Sequence, residues 1–347
     1  MESFSTEKSL PLGPFEPTVI LHGGAGSISR ASLPPELWDR YRSSLLKYLT
    51  DARKLLESGA SALDAACVAA TWFEDDPLFN CGRGSVFTEQ GTIEMEASVM
   101  VCSLDRAGPG AGRIKRGAAV SLVRNTRHPI LLAKEVLLAA DEDRGTGGTS
   151  TLHCHLSGLD VEQWGWEEKA LEKKTDRWFW TRKRWEEHRR GIHPPGAYTY
   201  DDLLASVDPF ASTPSEDGDI DFHEYPSQGT VGAVCLDAWG NLAVATSTGG
   251  LTNKKALTSV AGPGGELQQS AGDRWGHTGE GEGGIIGIEI VDLESGQARG
   301  DHKDRLRKKR GKAVFDFNCG GLFRAFYEAD DNTGQETPRA MVFKEEY

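Results

Sequence analysis

The feature that most constrains the fold of this chain is the abrupt start of a strand at Gly229–Thr230. The run SQGTVGAVCLDAWGNLAVATSTGG, from Ser227 to Gly250, predicts two short strands joined by a polar turn. Directly before it, residues 191–228 are rich in Pro, Ser and Asp, a composition that predicts a mobile surface linker. A Thr that opens a strand is ordinarily only a β-branched residue in a favourable place. What is unusual is that a linker leads into a buried strand with only a Gly before it.

The rest of the chain predicts strands and helices that alternate in blocks. A short strand, Val19 to Leu21, is followed by an amphipathic helix that stops at Gly59, and Ser61 caps a second, Ala-rich helix. Further strands are predicted at TIEMEASVMVCSLD, GAAVSLVRN, GIIGIEIVD, GGLFRAFYEA and PRAMVFKE, a further helix at HPILLAKEVLLAADE, and a basic loop at DHKDRLRKKRGK. The pattern predicts one large mixed α/β domain.

The net charge of the chain limits the classes of molecule that it is expected to bind. The net charge is −13 and the isoelectric point is near 5.2, so nucleic acid and anionic membranes are repelled at long range and a small-molecule substrate is favoured. One segment, Val161–Arg190, interleaves aromatic and basic residues in a helical pattern, which is one way to stack on nucleobases. Glu and Asp are mixed through the same run, which favours a solvated helix with its aromatic side chains packed inward.

The cysteines and the N-terminal residues indicate the cellular compartment. The six cysteines show no CxxC pair and no metal-ligand spacing, and most lie in apolar runs, where a thiol behaves as a small hydrophobe. The N-terminus lacks an apolar signal-peptide core, and no stretch of about 18 apolar residues occurs. We therefore expect a reduced, cytoplasmic protein.

The Gly229–Thr230 step has the composition of a self-cleavage site. A Gly can hold strained backbone angles, which would let the Thr230 hydroxyl approach the Gly229 carbonyl carbon. The peptide can then rearrange to an ester and hydrolyse. Cleavage leaves Thr230 with a free α-amine, whose ordinary pKa of about 7.7 to 8.0 makes it available as a general base.

At this point the chain resembles the plant-type L-asparaginases, or isoaspartyl peptidases, of the N-terminal nucleophile hydrolases, with Taspase and glycosylasparaginase as relatives. The residues that carry the resemblance stand in order along most of the chain: LHGGAGSI, SALDAACVAATWFEDDPLFNCGRGSVFTEQGTIEMEASVM, HPILLAKEV, GTVGAVCLDAWGNLAVATSTGGLTNK and TGEGEGG. The resemblance implies a four-layer αββα sandwich and a homodimer of cleaved protomers. It also implies one composite domain, made of a flexible leader (1–16), a first part (17–190), the linker (191–228) and a second part (229–347).

The resemblance assigns roles around the cleavage site. It implies that Thr230 is the nucleophile and that the hydroxyl of Thr248 supports it. Thr278 and Gly279 match the Thr-Gly pair that stabilises the oxyanion in the family, a role that requires donors fixed before charge develops.

It also assigns residues that contact or surround the substrate. Gly281 matches a second substrate-contacting glycine, and Asn80, in PLFNCGRG, matches the asparagine near the nucleophile. The family holds a sodium ion by loop carbonyls just before that asparagine, and no other cofactor is implied.

Two stretches depart from the family pattern. Between Lys254 and Thr278 the family carries a Gly-Arg-Val-Gly-Asp motif whose Arg and Asp hold the α-carboxylate and α-amine of the substrate, whereas this interval reads KALTSVAGPGGELQQSAGDRWGH. Arg274, next to Asp273, offers a replacement fork for a carboxylate from a shifted position. After Met100 the chain has VCSLD where the family usually has Asp-Gly.

Three functions remain open from the sequence. The first is an amidohydrolase of the asparaginase and isoaspartyl peptidase type. The second is a weak or non-catalytic relative, or a faulty gene model, that keeps the sandwich without the substrate anchor. The third is a Taspase-like threonine endopeptidase, suggested by the missing Asp and by LRKKRGK as a nuclear address, although a basic loop of this length is more often a solvated turn.

Overall fold

A computed structural model describes residues 15–102, 115–142, 153–192, 200, 203, 229–256, 283–292, 309–330, 333 and 335–346. The described helices are α1 (Pro35–Glu57), α2 (Ala62–Asp75), α3 (Pro129–Glu142), α4 (Leu159–Glu168), α5 (Asp176–Phe179) and α6 (Arg182–Ile192). The described strands are β1 (Phe15–Glu16), β2 (Thr18–Gly26), β3 (Met95–Cys102), β4 (Lys115–Val123), β5 (His155–Ser157), β6 (Val231–Leu236), β7 (Leu242–Thr248), β8 (Gly284–Asp292), β9 (Lys309–Phe317), β10 (Gly321–Ala329) and β11 (Glu336–Met341).

The larger sheet has eight described strands in the order β11-β10-β2-β6-β7-β3-β4-β5. All of its pairings are antiparallel except that of β4 with β5. The two strands predicted between Ser227 and Gly250 are its central hairpin, β6 and β7. Every residue of β6 is buried, because neighbouring strands lie on both sides and other layers cover both faces.

Helices cover one face of this sheet. The predicted apolar stripe of α1 is buried, and the helix ends just before Gly59, whose φ of +94° is the left-handed conformation that glycine adopts most readily. Ser61 caps α2 as predicted, because its hydroxyl accepts a hydrogen bond of 3.0 Å from the amide of Asp64. The Ala-rich surface of α2 lets it lie close to β6 and β7.

A second sheet covers the opposite face. Its described strands have the order β1-β9-β8. Its inward side chains, among them Ile286, Ile288 and Phe315, pack on Ile20 and Phe326 of the larger sheet. Helices, sheet and sheet therefore follow one another in the order predicted for the αββα sandwich, and the mixed α/β class is confirmed.

The ordered elements extend beyond three predicted boundaries. Phe15 and Glu16, placed in the leader, pair with β9, and α6 continues to Ile192, two residues into the predicted linker. The last residues of the predicted basic loop, from Lys309, belong to β9. The run of basic residues gave no clear strand pattern in the sequence, and the pairing with β8 shows that these residues form a strand.

The aromatic segment is three short helices rather than one long helix. The chain leaves α4 near Ala170, whose φ of +53° is incompatible with a continuing right-handed helix. The side chains of Phe179, Trp180 and Trp185 are buried, so inward packing is confirmed for these three, whereas the other tryptophans of the segment are half-buried. No described helix has both the length and the apolar character needed to cross a bilayer.

Candidate active site

The central hairpin aligns the two predicted threonines. In the β6–β7 pairing Val231 lies opposite Ser247, so one further step of the same register places Thr230 opposite Thr248. Thr230 directly precedes β6 and is partly buried, and Thr248 is the last residue of β7 and 5% exposed. The two residues thus meet at the same end of the sheet.

The backbone on the other side of Thr230 is also held. The amide of Gly229 donates a 3.1 Å hydrogen bond to the carbonyl of Ala25 in β2. The φ of Gly229 lies outside the left-handed region, so the strained backbone expected at this glycine is not observed there. Glycine is favoured at this position by close packing instead, because a Cβ at Gly229 would lie 3.1 Å from the Ala25 carbonyl oxygen.

Within the described part of the chain, the hydroxyl of Thr248 has a hydrogen-bond partner in the turn that follows it. Its Oγ1 accepts a 3.0 Å hydrogen bond from the amide of Gly250, which closes a turn of the Ser/Thr type. A hydroxyl that accepts a hydrogen bond in this way still has its own proton to donate. The hydroxyl of Thr248 therefore has a structural role in the turn, and its own proton remains available to support Thr230.

Asn80 braces this turn from a neighbouring loop. Its Nδ2 donates to the Gly250 carbonyl at 2.8 Å, its Oδ1 accepts from the Val86 amide at 3.1 Å, and its carbonyl accepts from the Gly249 amide at 2.9 Å. Asn80 is fully buried. Both of these side-chain hydrogen bonds join Asn80 to backbone groups, so the residue links the loop to the turn after Thr248.

The structure explains why both residues at the end of the TSTGG turn are glycine. A Cβ at Gly249 would lie 2.6 Å from Oδ1 of Asn80 and 2.7 Å from Cβ of Ser85, which leaves no room for a side chain. Gly250 has a φ of +77°, in the left-handed region. Glycine at position 249 therefore allows the loop that carries Asn80 to approach the turn closely, and glycine at position 250 allows the backbone conformation of the turn.

A buried acid lies behind the turn. Glu74, the penultimate residue of α2, is 0% exposed, and its Oε1 accepts hydrogen bonds from the Ser247 hydroxyl at 2.6 Å and from the Ile130 amide at 3.0 Å. Its Oε2 is buried and has no hydrogen-bond partner among the residues that the structure describes. Burial raises the pKa of Glu74 to about 8 because the charged form loses its hydration, and the nearby charge of Asp75 acts in the same direction.

The next strand, β3, adds charge to the same region. Glu96 pairs with Thr248 in the β3–β7 ladder. Lys254, 6% exposed, donates from Nζ to the Glu94 carbonyl at 2.6 Å. Burial lowers the pKa of Lys254, and the negative charges of Glu96 and Glu94 oppose that effect. The turn after β7 is thus anchored by a buried lysine that donates to the main chain just before β3.

His22 of β2 lies opposite Gly232 of β6, two residues beyond Thr230 and on the same sheet face. It pairs with Gly232, and a Cβ at Gly232 would lie 2.9 Å from its Nε2, so glycine makes the room for the ring. Desolvation lowers the pKa of His22 to about 4. The ring is therefore neutral at physiological pH and carries no positive charge toward the threonines.

Helix α6 and the short helix before it hold the Asn80 loop. Nε of the fully buried Arg184 donates to the Gly84 carbonyl at 2.7 Å, and the Gly84 amide donates to the Phe179 carbonyl at 3.2 Å. The ring of Trp185 meets that of Phe87 edge to face at 5.2 Å. The aromatic segment therefore supports the candidate site.

The loop before Asn80 has the chemistry of a carbonyl-lined cation site. The carbonyl oxygens of Phe79 and Pro77 converge beside Gly84, 2.6 and 2.8 Å from where its Cβ would be. Main-chain carbonyl oxygens are the type of ligand that suits a hard alkali cation. In the described part of the chain, His, Cys, Asp and Glu side chains form no group of three or more that could hold a metal.

Four predicted site residues lie outside the described residues: Arg274, Thr278, Gly279 and Gly281. At the other departure from the family, Val101 and Cys102 continue β3 and pair with Ala243 and Leu242 of β7. The sequence interpretation missed four residues near the threonines: Glu74, Ser247, Glu96 and Lys254. The only local signal was a charged residue inside otherwise apolar helix and strand patterns, as at Glu74 and Glu96.

Comparisons with known proteins agree with this geometry. The sequence model of the family described as Asparaginase matches residues 15–256. The chain is 29% identical to the isoaspartyl peptidase of Salmonella typhimurium over 94% of its own length and 98% of that protein. It is 34% identical to the isoaspartyl peptidase of Escherichia coli (68% and 62% covered) and 32% identical to the isoaspartyl peptidase/L-asparaginase of Xenopus laevis (74% and 68% covered). The chain therefore belongs to the asparaginase family of N-terminal nucleophile hydrolases.

Proposed function

We propose that this chain cuts its own Gly229–Thr230 peptide and then uses Thr230 as the nucleophile of an amidohydrolase for L-asparagine or β-aspartyl peptides. The observation that carries the proposal is the register of β6 and β7, which aligns Thr230 with Thr248 beside a backbone held by Ala25. The names of the bacterial and amphibian relatives supply the substrate class.

The maturation step needs only groups already attached to the fold. The Thr230 hydroxyl oxygen attacks the Gly229 carbonyl carbon and gives up its proton, and collapse of the tetrahedral intermediate breaks the C–N bond as the amine takes up a proton. Water then hydrolyses the resulting ester, which leaves a Gly229 carboxylate and restores the Thr230 hydroxyl. Tethering supplies the proximity that a free substrate must obtain by binding.

Turnover uses the new N-terminus. The α-amine of Thr230 takes the hydroxyl proton as the oxygen attacks the amide carbon, and later returns it to the leaving amine. Thr248 donates a hydrogen bond to the nucleophile oxygen. Thr278 and Gly279 stabilise the oxyanion, and Gly281 contacts the substrate.

The proposal includes a sodium ion held by the main-chain carbonyls of Pro77 and Phe79. When bound, the ion supplies a fixed positive charge that orders the loop and takes no part in bond making. The loop carries Asn80, which braces the turn after Thr248. The order of this loop therefore affects the threonine pair.

One observation favours a weaker enzyme. The family match ends at residue 256, two residues after Lys254, where the expected Gly-Arg-Val-Gly-Asp motif is replaced. A chain without this anchor would still cut itself, because self-cleavage needs no recognition of a free amino acid. A weak relative of this kind is the second candidate, and Arg274 is the residue that would supply the missing fork in an active enzyme.

Denaturing electrophoresis and intact mass measurement test the maturation step. We expect fragments of 229 and 118 residues, the second being the 347 residues of the chain less 229, with Thr-Val-Gly at the start of the smaller one. Thr230→Ala should abolish the cut in a folded protein, and Thr230→Ser, which keeps a hydroxyl, should retain it. A folded wild-type chain that stays intact on prolonged incubation would refute the proposal.

We also propose that the protein is a cytoplasmic homodimer of cleaved protomers. All six cysteines are free, three of them buried, which suits a reducing compartment. Light scattering coupled to size-exclusion chromatography of the cleaved protein tests the dimer. Fractionation of cells that express a tagged chain tests the location.

A further inference from the structure

Two side chains, His188 and Asn253, join α6 to the turn that follows β7. Nδ1 of His188 and Oδ1 of Asn253 are 2.6 Å apart, and Nδ2 of Asn253 donates a 3.2 Å hydrogen bond to the main-chain carbonyl of His188. A carbonyl oxygen can only accept, so the amide nitrogen of Asn253 faces that carbonyl and its amide oxygen faces the ring. His188 is therefore the donor of the first hydrogen bond, with a proton on Nδ1.

The loop after Asn80 holds both members of this pair. The His188 side chain is buried, and its ring centroid lies 5.0 Å from that of Trp185 and 5.7 Å from that of Phe87. The Phe87 carbonyl accepts a 2.8 Å hydrogen bond from the Asn253 amide. Phe87 thus contacts His188 through its ring and Asn253 through its main chain, which fixes the direction of the hydrogen bonds between them.

Two features of the backbone fit this close contact. Asn253 has a φ of +61°, in the left-handed region that Asn adopts more readily than most residues. Gly191, three residues after His188 in α6, has no room for a side chain, because a Cβ there would collide with Nδ2 of Asn253. Glycine has a lower helix propensity than alanine, but here it permits the close approach of the turn.

The turn that this pair holds also contains the partner of the Thr248 hydroxyl. The Gly250 amide donates to Oγ1 of Thr248 at 3.0 Å, and Asn253 lies three residues further along the same turn. Asn80 braces the beginning of the turn through the Gly250 carbonyl. The pair braces its end, so the direction of the Gly250 amide depends on supports on both sides.

The pair also spans the predicted cut. His188 precedes Gly229 and Asn253 follows it, and the two residues are 65 positions apart in the chain. Cleavage at Gly229–Thr230 would therefore place the two side chains on different fragments. Their hydrogen bonds would then join the fragments beside the candidate site.

We propose that His188 is a positioning residue for the threonine pair: through Asn253 it holds the turn that directs the Gly250 amide to the Thr248 hydroxyl. His188 affects the rate by fixing this geometry and transfers no proton in the reaction. After the cut, the same two hydrogen bonds hold the fragments together at the turn. The effect on the rate rests on the proposed self-cleavage, whereas the ordering of the turn does not.

Hydrogen exchange followed by mass spectrometry tests the ordering of the turn in uncut protein. In a Thr230→Ala background, His188→Leu should speed exchange of the amides at residues 250–254 by at least about tenfold, because Leu keeps the apolar packing but donates no hydrogen bond. His188→Asn, whose Nδ2 can take the place of Nδ1, should restore the protection. Peptides from β10 and β11 are the internal control and should be unchanged.

Cleavage time courses in the chain that keeps Thr230 test the effect on the threonine pair. His188→Leu should slow cleavage by at least about tenfold, whereas His188→Asn should stay within about threefold of wild type. Asn253→Gly keeps the left-handed backbone but removes both hydrogen bonds, so it should be as slow as His188→Leu. Gly191→Ala should also slow cleavage, although alanine raises helix propensity.

The order of the rates separates positioning from simple stability. If His188 only stabilised the fold, the rates would follow Tm, and His188→Leu, which keeps the packing, would cleave faster than His188→Asn. That order would overturn the proposal, as would unchanged exchange at residues 250–254 in both His188→Leu and Asn253→Gly. Where His188→Leu does not fold, Asn253→Gly supplies both measurements.

A failure of the proposed function would look different. A wild-type chain that stays intact refutes self-cleavage alone, and the exchange rates at residues 250–254 then decide whether His188 orders the turn. A wild type that cuts itself at the same rate as His188→Leu and Asn253→Gly keeps the proposed function and overturns the positioning role.

Discussion

The hydroxyl of Ser247 donates a 2.6 Å hydrogen bond to Oε1 of Glu74, a carboxyl group buried at the C-terminal end of α2. Ser247 immediately precedes Thr248 and lies opposite Val231, the residue after Thr230. The main-chain carbonyl of Glu74 accepts from the Arg83 amide. One buried acid thus joins the threonine strand to the Asn80 loop.

This acid should make stability depend on pH. Because burial raises the pKa of Glu74 from 4.5 to about 8, the folded chain holds a proton that the unfolded chain releases above about pH 4.5. The free energy of unfolding should therefore fall as pH rises from about 5 to about 8, by an amount on the order of a few kcal/mol.

Glu74→Gln keeps an acceptor for Ser247 and removes the titration, so it should flatten this part of the pH profile. Urea unfolding at several pH values measures how the free energy of unfolding depends on pH. Glu36→Gln, at an exposed position, is the control. An unchanged slope in Glu74→Gln would mean that Glu74 is ionised in the folded protein.

Thr248 should affect cleavage through its hydroxyl. Thr248→Val is nearly isosteric but cannot donate, so it should slow cleavage at Gly229–Thr230 by at least about tenfold, or roughly 1.4 kcal/mol of barrier. Thr248→Ser keeps a hydroxyl that can donate a hydrogen bond to Thr230 and accept one from the Gly250 amide, so it should cleave at close to the wild-type rate. Time courses followed by electrophoresis give the rates, and equal rates for Val and wild type would exclude Thr248 from the mechanism.

The close approach of the Asn80 loop to the turn predicts a steric effect. Gly249→Ala places a Cβ 2.6 Å from Asn80 Oδ1 and 2.7 Å from Ser85 Cβ, so the loop must move. We expect a loss of about 2 kcal/mol or more in unfolding free energy and slower cleavage.

Gly283→Ala is the matched control, because its Cβ would meet no atom of the described residues within 4 Å. It should change stability by less than about 0.5 kcal/mol. Thermal or urea unfolding compares the two variants, and equal stability would show that the loop is not tightly packed on the turn.

L-asparagine should be a poor substrate. Its α-carboxylate and α-ammonium groups must be recognised, and leaving either buried and unpaired costs on the order of several kcal/mol. A loss of about 3 kcal/mol lowers kcat/KM by roughly two orders of magnitude. We therefore expect kcat/KM below about 10⁴ M⁻¹s⁻¹ for fully cleaved protein.

Steady-state kinetics with asparagine and a β-aspartyl dipeptide decide this point. A value above that limit would contradict the expectation drawn from the missing motif. In that case Arg274→Ala becomes the informative variant, because a large rise in KM would show that Arg274 has taken over the anchoring role.

The sequence by itself determined the local elements around the site. Two short apolar runs joined by a polar turn predicted β6 and β7, and the amphipathic pattern before Gly59 predicted the buried stripe of α1 and its end. These features depend on periods of two and 3.6 residues and on glycine geometry, which a single sequence displays directly. The family motifs added the identity of the threonine pair.

Only the tertiary structure decided what surrounds that pair. Glu74 and Ser247 are 173 residues apart in the chain, and Asn80 and Gly250 are 170 apart, so no local pattern relates them. Their contacts arise because α2 packs on β6 and β7 while the loop after α2 turns back onto the end of the same hairpin. The raised pKa of Glu74 has mainly the same origin, since its largest cause is the packing of layers that remove water from around the carboxyl group, to which the charge of the neighbouring Asp75 adds.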